Sequence, residues 1–259
     1  MEEVFEIFLK RYELFLLILV RTSGIFFISP FFSSQNVPNT IKAGFSLILS
    51  IILTMVMDIN IDILDTPLPI IIFKELMVGL MIGFISYIFF TTFYVMGQII
   101  DMKIGFGMVN VIDPQHRVQV PLLGNFYYIL AFLLFLSING HHIIIDALVD
   151  SYEFIPIGNF RFTQDIVNLL LDIVSYTFSI GFRIGAPVVA IIFLLDILLG
   201  ILARTIPQMN VFVVGMPFKI LIGLIIVGLT IPIFYSLTNN VFNNMVEKIY
   251  YFLKLFVEG

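Results

Sequence analysis

Residues 76–100 contain no charged side chain, and neither do residues 118–140. Each run reaches the roughly 20 apolar residues that cross the hydrocarbon core of a bilayer. Between them lies GQIIDMKIGFGMVNVIDPQHRVQVP, residues 97–121, which is polar, rich in glycine and broken by Asp113-Pro114. A loop of this kind, held between two membrane-length segments, is the strongest pointer to function in the chain.

Composition points to the same solvent. Of 259 residues 60% are hydrophobic and 12% charged, where soluble domains carry about 25% charged residues. With a mean hydropathy of +1.08, the chain cannot cover a water-soluble globule of this size. It has no Cys, which excludes disulfides, thiolate metal sites and Cys nucleophiles. A net charge of −5 without a basic stripe argues against nucleic acid as a partner. The start, MEEVFEIFLKRYE, is acidic before it is basic; a cleavable signal peptide has the opposite start, so the first apolar segment is expected to be retained.

Six apolar segments can be drawn, at about 12–32, 41–57, 70–100, 119–140, 173–203 and 211–238. They predict an all-α membrane protein. The two longer connections are the loop 101–118 and an acidic stretch, 141–172. Basic residues in cytoplasmic loops normally fix orientation. Here one set of alternate loops holds Lys42, Lys103, Arg117 and Arg204, and the other holds Lys10, Arg11, Arg161, Lys248 and Lys254. Four against five decides nothing, as expected if the segments are not six ordinary parallel spans. Two Gly-x-x-x-Gly pairs, Gly79/Gly83 and Gly181/Gly185, mark possible close helix contacts.

Six charges stand inside or at the edges of apolar runs: Arg21, Lys74, Glu75, Arg183, Asp196 and Lys219. A charge at the bilayer centre costs roughly 2.5–3.5 kcal/mol, so such residues face protein or water. They could line an ion or proton path, or pair between helices and subunits of an assembly. Lys74 and Glu75 diverge by about 100° on a helix and need separate partners. Arg183 and Asp196 share a segment and meet only if the chain turns. Pro121, Pro187, Pro217 and Pro232 interrupt the apolar runs and predict kinks.

The sequence holds no Walker A motif, no H-E-x-x-H and no G-x-S-x-G elbow. Gly105-Phe106-Gly107 lacks the third glycine of a dinucleotide site. His141-His142 are adjacent, would diverge on a helix, and make a poor metal site. No cofactor or catalytic set is expected, and the chain is not expected to be an enzyme.

Taken in order, several segments resemble one family. They are Arg21 with Ser29-Pro30-Phe31-Phe32 and Val37-Pro38; Glu75, Gly79 and Gly83; and Gly97-Gln98, Asp101, Gly105, Gly107 and Asp113-Pro114. Then come Asn139-Gly140-His141-His142 and Pro156-x-Gly158. The last set is Pro187, Gly200, Arg204, Pro207-Gln208-x-Asn210-Val211-Phe212, Gly215, Pro217 and Lys219. The ordered set, over about residues 12–235, resembles FliR, the flagellar type III export-gate family, with its injectisome counterpart SctT. The flagellar branch fits better. Lys103 departs from the glutamine the family pattern leads one to expect.

The resemblance implies a single export-gate domain, 1–259, in the bacterial inner membrane at the flagellar basal body. Its partners would be FliP and FliQ, with FlhB and FlhA, and its cargo unfolded flagellar proteins. It implies kinked helical hairpins wound into a gate assembly rather than a simple bundle, with a FliP-like portion at 12–172 and a FliQ-like hairpin at 173–238. Pro187, Pro207, Gln208 and Pro217 would carry the hairpin signature. Arg21, Glu75, Arg183, Asp196, Arg204 and Lys219 would be assembly charges. The loop at about 105–120 would project into the pore as a plug, with Gly105, Phe106, Gly107, Met108, Asp113 and Pro114 as its working residues. Some chains of the family are fused to FlhB; this one ends at Gly259, shortly after Lys248 and Lys254, and no fused domain is expected. The rival expectation is a secondary transporter or ion channel built on the intramembrane charges. A third, an intramembrane enzyme, lacks a clustered catalytic set.

Overall fold

A computed structural model of the chain describes residues 2–30, 37–57, 66–106, 121–206 and 210–256, with side chains from residue 11 onward and excepting 211–212. These residues form seven helices: α1 (Glu2–Ile28), α2 (Asn39–Val56), α3 (Leu68–Ile104), α4 (Leu122–Ser137), α5 (Gly140–Phe154), α6 (Gln164–Thr205) and α7 (Val211–Lys254). Among the described residues there is no strand. The protein is an all-α membrane protein. Four helices, α2, α3, α6 and α7, are long and apolar enough to cross a bilayer, or five spans if α4 and α5 act as one broken span.

Local sequence sets the boundaries. α3 ends where Gly105 adopts φ +103° and donates its N–H to the Asp101 carbonyl at 3.1 Å, a left-handed helix stop that glycine takes without a Cβ penalty. α4 and α5 are divided at Asn139, whose φ of 57° is left-handed, a conformation asparagine tolerates better than most residues. α6 runs for 42 residues and α7 for 44. At about 1.5 Å per residue each has a contour of more than 60 Å, twice the hydrocarbon thickness of about 30 Å.

The acidic stretch 141–172 is not a connection. It contains α5 and the start of α6. In α5, Ile144, Ala147, Leu148, Ser151 and Tyr152 are buried while Asp146 and Glu153 are exposed. That spacing is an amphipathic helix, which a search for unbroken apolar runs passes over.

The chain divides into two compact units. The first comprises residues 1–88, 138–173 and 243–259, and the second comprises 89–137 and 174–242. In the first, α1 meets α3 backbone to backbone. A Cβ at Gly24 would sit 2.9 Å from the Leu80 nitrogen, one at Gly83 would sit 3.2 Å from the Ile25 carbonyl oxygen, and one at Gly79 would collide with the Arg21 carbonyl. In the second, aromatic rings form the core. Phe90 meets Phe135 edge-on at 5.2 Å, Phe135 meets Phe242 at 5.0 Å, and Phe93 meets Phe234 at 5.6 Å. The second glycine pair packs on α3 there: a Cβ at Gly181 would lie 3.1 Å from the Thr92 carbonyl oxygen, and one at Gly185 3.5 Å from Met96 Cγ.

Candidate functional site

The loop marked by the sequence has well-defined posts. Its first post is the end of α3 and its second the start of α4. Pro121 precedes α4 and has no side chain that could cap it, so the first N–H groups of that helix need an outside acceptor. Asp101 supplies it. Its two carboxylate oxygens accept from the Leu123 N–H at 3.0 and 2.9 Å, and one also accepts from the Gly124 N–H at 3.2 Å. Asp101 is 4% exposed, and its negative charge lies at the positive end of the α4 dipole. The posts also touch directly. A Cβ at Gly97 would lie 2.5 Å from the Gly124 nitrogen and the Leu123 carbonyl oxygen, so the contact exists because both positions are glycine.

Gly105 and Phe106 lie at the first post, and Gly105 comes within reach of Met216 on α7. Gly107, Met108, Asp113 and Pro114 lie outside the described residues. So do Pro207 and Gln208 of the hairpin signature.

A second polar constellation occupies the first unit. Arg21 is fully buried, and every part of its guanidinium is engaged. Nε donates to Glu75 Oε2 at 2.7 Å, one terminal nitrogen donates to the Ser151 carbonyl and hydroxyl oxygens at 2.9 and 3.0 Å, and the other donates to the Ile155 carbonyl at 2.9 Å. Its Cζ lies over the Tyr152 ring, 4.2 Å from the centroid. Glu75, also fully buried, uses Oε1 to accept from the Gly158 N–H at 2.9 Å, and Lys74 donates to the Gly158 carbonyl at 2.8 Å. Lys74 and Glu75 thus leave α3 separately and grip the two sides of one peptide turn, where Gly158 holds φ +82°. This clasp joins α1, α3, α5 and the segment after α5. Breaking a buried pair by removing one partner costs about 3–5 kcal/mol, because the other charge is stranded.

In the second unit Asp196 of α6 accepts from Lys219 of α7 at 2.7 Å, with side chains 44% and 17% exposed. Arg183 and Arg204 are exposed on α6, and Pro187 and Pro217 stand exposed within α6 and α7. Asp196 therefore pairs across the hairpin rather than with Arg183.

The adjacent histidines do not diverge. At the first turn of α5 the His141 and His142 rings meet at 4.2 Å, tilted by 63°. No group of three or more metal-ligating side chains occurs among the described residues. Sequence reasoning missed the accepting backbone of Ser151 and Ile155, the Gly97–Gly124 contact, and the capping by Asp101. A proline at the start of α4 was the available signal for the last, since it cannot cap its own helix.

Comparison with known proteins places this arrangement. Residues 12–245 match the family described as bacterial export proteins, family 1. The flagellar biosynthetic protein FliR of Bacillus subtilis is 37% identical over 241 residues, covering 90% of this chain and 92% of that protein. FliR of Aquifex aeolicus is 29% identical, over 91% and 92% of the two chains. FliR of Escherichia coli K12 is 25% identical, over 88% and 87%.

Proposed function

The chain belongs to the FliR family of bacterial export proteins, and from that premise we propose that it is a non-enzymatic subunit of the flagellar type III export gate. It sits in the bacterial inner membrane at the basal body, assembles with FliP and FliQ, and works beside FlhB and FlhA. Unfolded flagellar proteins pass through the pore it helps to form. Its 105–120 loop plugs that pore when the gate is closed. Energy for transport comes from partner proteins and the proton-motive force. Residues 12–172 act as the FliP-like portion and 173–238 as the FliQ-like hairpin.

The observation that carries the proposal is the clamp at the loop root. Asp101 binds the N–H groups of Leu123 and Gly124, and Gly97 abuts Gly124, so the end of α3 and the start of α4, the two posts of the loop, are held together. A gate needs such fixed posts if the loop between them is to be displaced by a passing chain and then return. Phe106 and Met108 suit an apolar constriction that holds back water and ions, and methionine repacks readily around a changing neighbour.

The charges support a gate over a transporter. Arg21 and Glu75 pair with no exposure, and Asp196 is engaged by Lys219. Glu75 is closed to a passing ion, and Asp196, though partly exposed, is already neutralised by its lysine.

The test is co-expression with tagged FliP and FliQ, extraction in mild detergent and sizing of what co-purifies. A stable large complex containing this chain is expected. A chain that purifies alone, monodisperse and indifferent to both proteins, sinks the proposal and puts the transporter forward. Deletion of 106–118 within the complex is then expected to produce an ion leak, and a tight complex after deletion removes the plug from the account.

A further inference from the structure

α1 packs on α2, and the two enclose a cleft of about 560 Å³. Its lining is mixed. Asn39 and Lys42, from the first turn of α2, share it with Leu19, Phe26 and Leu47, and with Ser46. Lys42 is the one charged residue in the lining, and no carboxylate joins it. Pro38 precedes α2 and leaves its first turn without a side-chain cap; its carbonyl takes the Ile41 and Lys42 N–H groups at 3.0 and 3.3 Å, which leaves those of Asn39 and Thr40 to meet an anion. Ser46 is 2% exposed, and its hydroxyl has no hydrogen-bond partner among the described residues. The outer face of α2 is apolar: Phe45 is 61% exposed and Ile48 59%. The cleft is therefore bordered by a surface suited to lipid.

We propose that this cleft binds one anionic phospholipid. The phosphate sits on Lys42, Asn39 and the uncapped first turn of α2, the glycerol ester carbonyl accepts from the Ser46 hydroxyl, and one acyl chain lies between α1 and α2. Charge decides the headgroup. A zwitterionic lipid carries a cation beside its phosphate, which Lys42 repels. A free phosphate leaves the apolar body of the cleft unfilled. The proposal stands independently of the export-gate assignment, because it uses only the α1–α2 hairpin and its solvent.

Two experiments test it. In native mass spectrometry the full chain, released from mild detergent, is titrated with phosphatidylglycerol and with phosphatidylcholine of matched acyl chains. Wild type is expected to prefer phosphatidylglycerol, and Lys42→Gln to weaken that binding about fivefold, the worth of one lysine at an anionic surface. Ala43→Phe, which intrudes on the apolar body, is expected to lose both lipids. Equal retention of the two lipids by wild type, or no change in Lys42→Gln, overturns the proposal. The second experiment needs no substitution and so stands even if a variant fails to fold. Phosphatidylglycerol carrying a diazirine on one acyl chain is irradiated with the wild-type chain and its partners in vesicles. Labelling within 39–47 and 19–27 is expected. Crosslinks from this hairpin to a protein, with no lipid label, would show that a partner helix fills the cleft and would overturn the proposal.

Discussion

Replacing Asp101 with Ala removes the acceptor for two buried N–H groups at the base of the loop. The carboxylate takes the Leu123 N–H at 2.9 and 3.0 Å and the Gly124 N–H at 3.2 Å. A buried donor left unsatisfied costs about 1–3 kcal/mol, and loss of a negative charge at a helix N-terminus costs about 0.3–2 kcal/mol more. The sum spans about 2–8 kcal/mol. Fraying of the first turn of α4 toward water relieves part of it, so about 3 kcal/mol is the working figure. At 1.4 kcal/mol per factor of ten, that lowers the protection of these two amides by about a hundredfold. Hydrogen exchange of the purified chain, resolved to the peptide over 121–126, is the assay, because it reports local opening. Amides in α5 serve as the internal reference and should be unchanged. Asp101→Asn keeps one oxygen but turns an NH2 toward the Leu123 N–H, so about half the loss is expected, a tenfold effect. If Asp101→Ala folds and the 121–126 amides stay as protected as in wild type, the clamp is not what holds the loop root.

Arg21→Met should destabilise the detergent-solubilised chain by about 3–5 kcal/mol, since Glu75 is stranded, and Arg21→Met/Glu75→Gln should recover part of that; thermal unfolding that ranks the double variant below the single one would contradict the ion-pair account. Gly79→Ala should force α1 from α3, because its Cβ meets the Arg21 carbonyl, whereas Gly228→Ala meets nothing within 4 Å and should gain up to about 1 kcal/mol in helix propensity; similar melting shifts for the two would count against backbone contact at Gly79. Asp196→Asn or Lys219→Met alone should have little effect in water-rich detergent, where an exposed pair is worth about 0–1 kcal/mol. In membranes an unpaired charge costs roughly 2.5–3.5 kcal/mol, so insertion assays should show a deficit in either single variant and recovery in the charge swap.

What could be read from the sequence depended on whether the signal was local. The charge-free run 76–100 lies within α3 and needed only counting. The glycine pairs on α3 and α6 were visible, yet Gly24, which completes the contact with Gly79, was not, because its role depends on which helix arrives opposite. α5 was hidden by its own chemistry: alternating acids and apolar residues leave no continuous run. Lys74 and Glu75 could be assigned separate partners from helix geometry alone. That both would close on Gly158 required knowing that the chain after α5 returns to α3, 83 residues away from Glu75.

The two kinds of charge in this chain have different consequences for assembly. Arg21 and Glu75 are satisfied internally, each guanidinium nitrogen holding at least one acceptor, and ask nothing of a neighbour. α6 and α7 are unlike α3. Of the most apolar window in each, 17% and 22% is buried, against 44% in α3. Lipid could cover the apolar remainder, but α6 also carries Arg183, exposed near the middle of the helix with no partner among the described residues. Where the bilayer covers that part of α6, the arginine alone costs roughly 2.5–3.5 kcal/mol on insertion scales. A neighbouring subunit that offers an acceptor would remove the cost, and a hydrocarbon surface would not. On the gate proposal, the demand for partners would then fall on the α6–α7 hairpin rather than on the internally paired clasp.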